Sequence, residues 1–335
     1  MRKRFQFGLI LTTGVFLFAT FVNTASAITI TPPRLELAGD PGSTISGEVK
    51  VTNESTTDTT YYTQVENFEA GDETGNPQFV PTKEGLATWV NVADNIRVKA
   101  NEQKVVPFTI QIPDNTEPGG YFASIFVRTT PPPANTAGEV SIGARLGSLI
   151  LLHVNGDIRE GVSILEFSTK DKKRFYTTLP VETYYRFQNT GADRVKPEGD
   201  IVVKNIFGLT AKVLNANRSE GSVLPRSIRR FESAWINDGG GVEDPELLPP
   251  AKTNDGFFGE AKKQAKNFAF GYYTAHLDIH YGENNQSANQ KFRFFVIPWQ
   301  LLIIVIVGLF ILLVVAKFIL RRYTNYIIRS HQKRQ

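Results

Sequence analysis

The chain has 335 residues, 41% of them hydrophobic, no cysteine and a formal charge of +4. Without a thiol it forms no disulfide and carries no lipid on cysteine, so any exported part is held by its hydrophobic cores alone. The positive charge sits at the ends. Setting aside Arg2, Lys3 and Arg4, and the six basic residues from Lys317 onward, leaves −5 for residues 28–316. That removes most of the case for a nucleic-acid partner.

At the N-terminus, three basic residues precede an apolar stretch from Phe7 to Val22, and Ala25-Ser26-Ala27 supplies a small-residue cleavage site. The pattern predicts a signal peptide over 1–27 with Ile28 as the first mature residue. The competing reading is an uncleaved first anchor, although the apolar stretch is short for a span. In both readings the middle of the chain is exported. Roughly 270 exported residues suit two domains better than several small ones.

Residues 28–155 form the first expected domain. Ile45, Gly47, Val49 and Val51 alternate with Ser46, Glu48, Lys50 and Thr52, the period of a half-buried strand. Val106, Phe108, Ile110 and Ile112 repeat the pattern, and Pro107 within that run places the strand at a sheet edge or a bulge. After the turn-rich Pro113–Gly120, Tyr121, Ala123, Ile125 and Val127 lie on one side of a strand. Phe122, Ser124, Phe126 and Arg128 lie on the other, and bulk on both faces marks a central strand. Thr130–Gly138 reads as an exposed loop, and Ser148–Val154 as a buried strand before a boundary near Asn155-Gly156-Asp157.

Residues 156–297 form the second expected domain. Val181, Thr183, Tyr185 and Phe187 alternate with polar neighbours and run into Asn189-Thr190-Gly191, echoing Val51 running into Asn53-Glu54-Ser55. Further strands are expected at Ile201–Asn205, Arg229–Trp235, Tyr272–Tyr281 and Lys291–Ile297. Between them lies a long insertion near 237–270, Gly- and Pro-rich at first, with a short helix over Phe257–Phe268. Short strands with polar turns predict an all-β fold of two tandem immunoglobulin-like β-sandwich domains.

The last strand feeds almost directly into Leu301–Ala316, an unbroken apolar run extended past Lys317 by Phe318–Leu320. The expected transmembrane helix covers 298–320, followed by a basic cytoplasmic tail over 321–335. Trp299 is expected at the outer membrane interface. Lys317 is near enough the end to snorkel, and Arg321 and Arg322 hold the tail on the cytoplasmic side. The lipid bilayer is thus one partner, through a single helix, and the second domain is expected against the membrane surface.

Candidate chemistry is sparse. His276, Asp278 and His280 share one strand face, but residues four apart on a strand are about 13 Å apart, too far for one ion. A solvated face is the simpler reading, and no metal or other cofactor is assigned. No nucleophile elbow or phosphate loop occurs, and with four histidines in the chain the expectation is a protein that is not an enzyme. Trp89, Trp235 and the pairs Tyr61-Tyr62, Tyr184-Tyr185 and Tyr272-Tyr273 suggest a sugar-stacking platform, against which stands ordinary core packing.

Ile30-Thr31-Pro32-Pro33-Arg34-Leu35-Glu36-Leu37 with Pro41-Gly42, and Pro118-Gly119-Gly120-Tyr121-Phe122-Ala123, resemble the WxL-interacting surface proteins of Gram-positive bacteria. The resemblance covers roughly 28–155 and is looser beyond, where Asn205-Ile206-Phe207-Gly208 and Val223-Leu224-Pro225 occupy fitting places. The 237–270 insertion departs from the family pattern. The resemblance implies an outer domain that binds peptidoglycan and a second domain that binds a protein ligand. It transfers no individual binding residue.

The expectation is a non-catalytic protein of the bacterial cell membrane, single-pass, with extracellular N-terminal domains and a cytoplasmic tail. It would bind cell-wall polymer or another surface protein. The alternative is a chaperone-like scaffold or accessory subunit of a secretion, pilus or transport assembly, offering an edge strand to its partner.

Overall fold

The computed structural model describes residues 28–80, 84–131, 145–236, 256–282 and 284–332. The expected leader, the loop after Pro131 and the first part of the long insertion lie outside these residues. Strands dominate the fold. The chain divides into two compact units, one of Met1–Glu69 with Gln78–Ile158, the other of Ala70–Pro77 with Arg159–Gln335.

In the first unit the strands in chain order are β1 (Ile28–Thr31), β2 (Arg34–Gly39), β3 (Thr44–Asn53), β4 (Thr59–Ala70) and β5 (Pro77–Val80). A single helical turn, α1 (Leu86–Trp89), leads to β6 (Val90–Val92), β7 (Asn95–Val98), β8 (Gln103–Gln111), β9 (Gly119–Arg128) and β10 (Arg145–Val154). One sheet has the order β1-β3-β8-β6. The other has β2-β10-β9-β4-β5, with β7 also paired to β4. The chain passes from the first sheet to the second at Thr31-Pro32, whose peptide is cis.

Period-two alternation sets which side chains face the core. β3 buries Val49 and Val51 and exposes Glu48 and Lys50, while β8 buries Val106, Phe108 and Ile110. β9 contributes Ala123, Ile125 and Val127 to the same core, and β10 contributes Ile150 and Leu152. Each large apolar side chain so buried stabilises the unit by ~1.5–3 kcal/mol. Gly47 belongs to the packing too, because a Cβ there would come within 2.4 Å of the Phe108 ring.

β8 is not an edge strand, contrary to the expectation drawn from Pro107. It lies between β3 and β6. Asn53 N–H donates to Glu102 O, and Ile112 N–H to Ser43 O, so the bonded rungs of this ladder join odd residues of β3 to even residues of β8. Pro107, opposite Glu48, therefore directs its nitrogen away from β3. β6 ends at Val92, opposite Phe108, one rung short of it. The missing N–H costs no ladder bond.

The second unit holds β11 (Val162–Thr169), β12 (Phe175–Tyr176), β13 (Val181–Asn189), β14 (Glu198–Asn205), β15 (Thr210–Asn215) and β16 (Ile228–Trp235). Helix α2 (Gly256–Lys266) precedes β17 (Gly271–Tyr281) and β18 (Gln286–Val296), and helix α3 (Trp299–Gln332) ends the described chain. Its sheets are β11-β13-β16 and β12-β18-β17-β14-β15. Val181, Tyr185, Phe187, Ile201, Leu277 and Phe294 lie at the centre of its core.

α3 contains the stretch Trp299–Thr324, 26 residues, long and apolar enough to cross a membrane. The helix does not stop near Leu320, where the basic tail was expected to begin, but runs on to Gln332. Arg321 and Arg322 extend it, as good helix formers can.

Candidate functional site

The three residues of the strand-face constellation stand apart. His276 lies opposite Val202 of β14 and Lys291 of β18, Asp278 opposite Asp200 and Asn289, and His280 opposite Glu198 and Ser287. Partial burial, with Lys204 and Lys291 nearby, holds the His276 imidazole below its ordinary pKa. Two lysines beside it make the place unfavourable for a cation. Among the described residues, no group of His, Cys, Asp and Glu is arranged to hold a metal.

Most of the expected aromatic platform is packing. Tyr61 and Tyr185 are fully buried, and Tyr185 donates to Ala216 O at 3.0 Å while stacking on Phe231. Burial pushes the Tyr185 hydroxyl up from its usual pKa. Trp235 meets Tyr273 edge-on at 4.8 Å, Trp89 meets Tyr121 at 4.7 Å, and Arg230 lies over the Tyr184 ring at 4.2 Å. Tyr62 and Tyr272 remain partly exposed, one in each unit.

A second aromatic group was not foreseen. On the outward side of β9, Phe122 and Phe126 join Phe68 of β4 and Phe79 of β5, with ring centroids 4.7–6.0 Å apart. Arg145 lies 3.4 Å above the centre of Phe126 and donates to Glu66. The rings meet tilted or edge-on, and Arg145 closes over Phe126. The group thus forms a small outer apolar layer rather than an open platform. The alternation of Phe122 and Phe126 was visible in the sequence. The partners from β4, β5 and β10 were not.

The feature with most binding potential is a sheet edge in the second unit. β18 pairs with β17 along its whole length, from Gln286 opposite Tyr281 to Val296 opposite Gly271. On its other side β12 pairs with it at Phe295 and Val296 alone. Among the described residues, Gln286–Phe294 has no strand on that side. The equivalent strand of the first unit, β10, is covered by β2 over six residues, from Leu149 opposite Arg34 to Val154 opposite Gly39.

Phe295 donates its N–H across the outer edge to Arg174 O at 2.7 Å. By the alternation of an antiparallel ladder, Asn289, Lys291 and Arg293 turn their backbone N–H and C=O to the same side. Phe292 and Phe294 point inward, Phe292 against Phe167 of β11. Lys291 and Arg293 point outward and are exposed.

At the expected membrane interface, Trp299 is half exposed and its ring meets Phe257 of α2 at 5.9 Å. Lys317, Arg321 and Arg322 are exposed along α3. Gln264 of α2 donates to the Gln300 side chain and accepts from Leu301 N–H at 3.0 Å, capping a free donor in the first turn of α3.

No family model matches the chain, and no curated protein matches it. Solved structures that it resembles include the chaperone–tip adhesin complex of CFA/I fimbriae, at 14% identity over 82% of this chain and 100% of that one, with a TM-score of 0.38. The class 5 fimbriae chaperone CfaA matches at 14% identity over 81% and 100%, with a TM-score of 0.37. The Escherichia coli chaperone DraB matches at 9% identity over 80% and 97%, with a TM-score of 0.34. At such scores similarity decides neither fold nor function.

Proposed function

We propose that the chain is a non-catalytic, membrane-anchored bacterial surface scaffold that holds another protein by adding a strand of it to β18. The edge from Gln286 to Phe294, which has no strand beside it among the described residues, carries this reading. Unpaired strand edges are templates for pairing, and backbone hydrogen bonds supply the affinity in strand addition. Lys291 and Arg293 favour an acidic partner segment and at the same time discourage pairing between copies of this chain.

Both units are read as immunoglobulin-like. In the first, the order β1-β3-β8-β6 against β10-β9-β4 follows the two-sheet arrangement of that fold. In the second, β11-β13-β16 against β18-β17-β14 repeats it with one strand fewer. The residues before Trp299 lie outside the cell in this reading, and the end of α3 in the cytoplasm.

The test is isolation of the full chain from membranes of its own cells in mild detergent, with a photo-crosslinking side chain at Asn289. A stoichiometric protein adduct is expected, and it disappears in Lys291→Pro, which removes an outward N–H without touching the ladder to β17. A partner retained unchanged by Lys291→Pro overturns strand addition. Retention of the chain on insoluble peptidoglycan with no protein adduct would favour the wall-binding role implied by the family resemblance.

A further inference from the structure

At one end of the second unit, apolar side chains gather that no core explains. β17 and β18 begin and end there, at Gly271 opposite Val296, and α3 starts three residues later at Trp299. β14 ends at the same place, with Asn205 opposite Tyr273, so the β14–β15 hairpin tip projects beyond it. That tip is Ile206-Phe207-Gly208-Leu209, and Phe207 is 83% exposed.

The tip is a built structure. Asn205 Oδ1 accepts the N–H groups of Phe207 and Leu209, both at 3.0 Å, and Asn205 N–H donates to Leu209 O at 2.9 Å. Gly208 takes the left-handed conformation, φ 78°, that the turn requires. A hairpin tied in this way holds three large apolar side chains in solvent, and such exposure needs an occupant.

Two neighbouring elements present the same chemistry. Phe175 of β12, 65% exposed, stacks on Phe295 at 5.1 Å, and Phe295 meets Tyr272 at 4.9 Å, a ladder of rings across the last rungs of the sheet. Helix α2 packs on the first turn of α3 through Ala261 and Gln264, leaving Phe258 77% exposed beside the exposed Lys262 and Lys266.

We infer that this end of the unit is a lipid-docking surface. The hairpin tip and helix α2 seat in the headgroup layer of the same bilayer that α3 crosses. The occupant is fixed by continuity, because the surface surrounds the point where the chain enters its apolar helix. Aromatic rings with lysines beside them are the composition of the membrane interface. Residues 205–212 contain no acidic side chain to oppose anionic lipid, and Glu260 on α2 is paired with Lys263 at 3.0 Å.

The inference rests on α3 being a span, and the test separates the two. The chain has no cysteine, so Phe207→Cys, Phe258→Cys, His280→Cys and Leu312→Cys each give one labelling site in the full-length protein. Each is reconstituted in nanodiscs of phosphatidylcholine and phosphatidylglycerol, with a fluorophore on the cysteine and spin-labelled lipid as quencher. Quenching at positions 207 and 258 is expected to exceed that at 280 roughly tenfold, since position 280 lies about 30 Å up the sheet and the interface is ~10 Å deep. Position 312 is expected to be quenched by a deep label.

If 312 is quenched while 207 and 258 behave like 280, docking is overturned and the span stands. A position 312 that is never quenched removes the span and the inference with it. A shielded but unquenched label at 207 indicates a protein occupant, such as a second copy, and also overturns lipid docking.

Discussion

The Tyr61 hydroxyl donates to Asn53 Oδ1 at 2.9 Å inside the first core, where neither residue is exposed. Asn53 also donates to Thr57 O, Val98 O and Lys99 O and accepts from the Ser55 N–H and hydroxyl. One side chain thus joins the end of β3 to two loops. Asn53→Ala leaves several buried polar groups unpaired and is expected to cost about 3 kcal/mol, against ~1 kcal/mol for Tyr61→Phe. Asn189 plays the same part at the end of β13, donating to Asp193 O and Val223 O and accepting from Gly191 N–H. Each alanine variant should lower one thermal transition and spare the other, read by calorimetry of the chain in detergent.

Gln264→Leu removes the cap on Leu301 and the bond to Gln300 while keeping the apolar volume. Helix α2 should then open more often from α3. Amide exchange across 256–266 is expected to quicken about tenfold by mass spectrometry, with β17 and β18 unchanged. Equal protection in the variant would show that Ala261 and the rings of Phe257 and Trp299 hold α2 without the polar contact.

His276 makes stability depend on pH. Burial, then Lys204 and Lys291, depress its folded pKa below the ordinary 6.5. The unfolded chain therefore binds more protons than the folded one in the window below pH ~6.5. Stability contributed by the neutral ring is complete above that value and is lost as pH falls toward the folded pKa. Melting temperatures of His276→Gln should decline less than those of the parent between about pH 7 and pH 5.5. Parallel declines would remove His276 as the cause.

Gly47→Ala places a methyl group 2.4 Å from the Phe108 ring in a strand that already packs on both sides. The ring must move or β3 must shift. A loss of ~1–3 kcal/mol is expected in the first transition. Gly47→Ala combined with Phe108→Leu should recover part of it, because the shorter side chain yields the space.

Much of the architecture was legible in the residues. The alternation around Val49, Ile110, Ile125 and Tyr185 named both the strands and the side chains that face inward. The asparagine turns after β3 and β13 matched across the two halves, and the structure gives both asparagines the same backbone-bridging role. The Pro107 strand was misplaced because a proline reports a missing donor, and that donor can be spared inside a sheet where the neighbouring strand stops short. The outer rings around Phe126 were missed because their members lie far apart in the chain.

The sequence by itself determined the strand periods and a final apolar helix, because both follow from local spacing and length. Tertiary structure decided that β10 is covered while, among the described residues, no strand covers Gln286–Phe294 of β18, and that Phe207, Phe258 and Phe175 lie at one end of the second unit. Those outcomes depend on which strand arrives beside which across the hydrogen-bonding direction. No residue encodes that alone, since a period of two specifies the face of a strand and leaves its neighbours free.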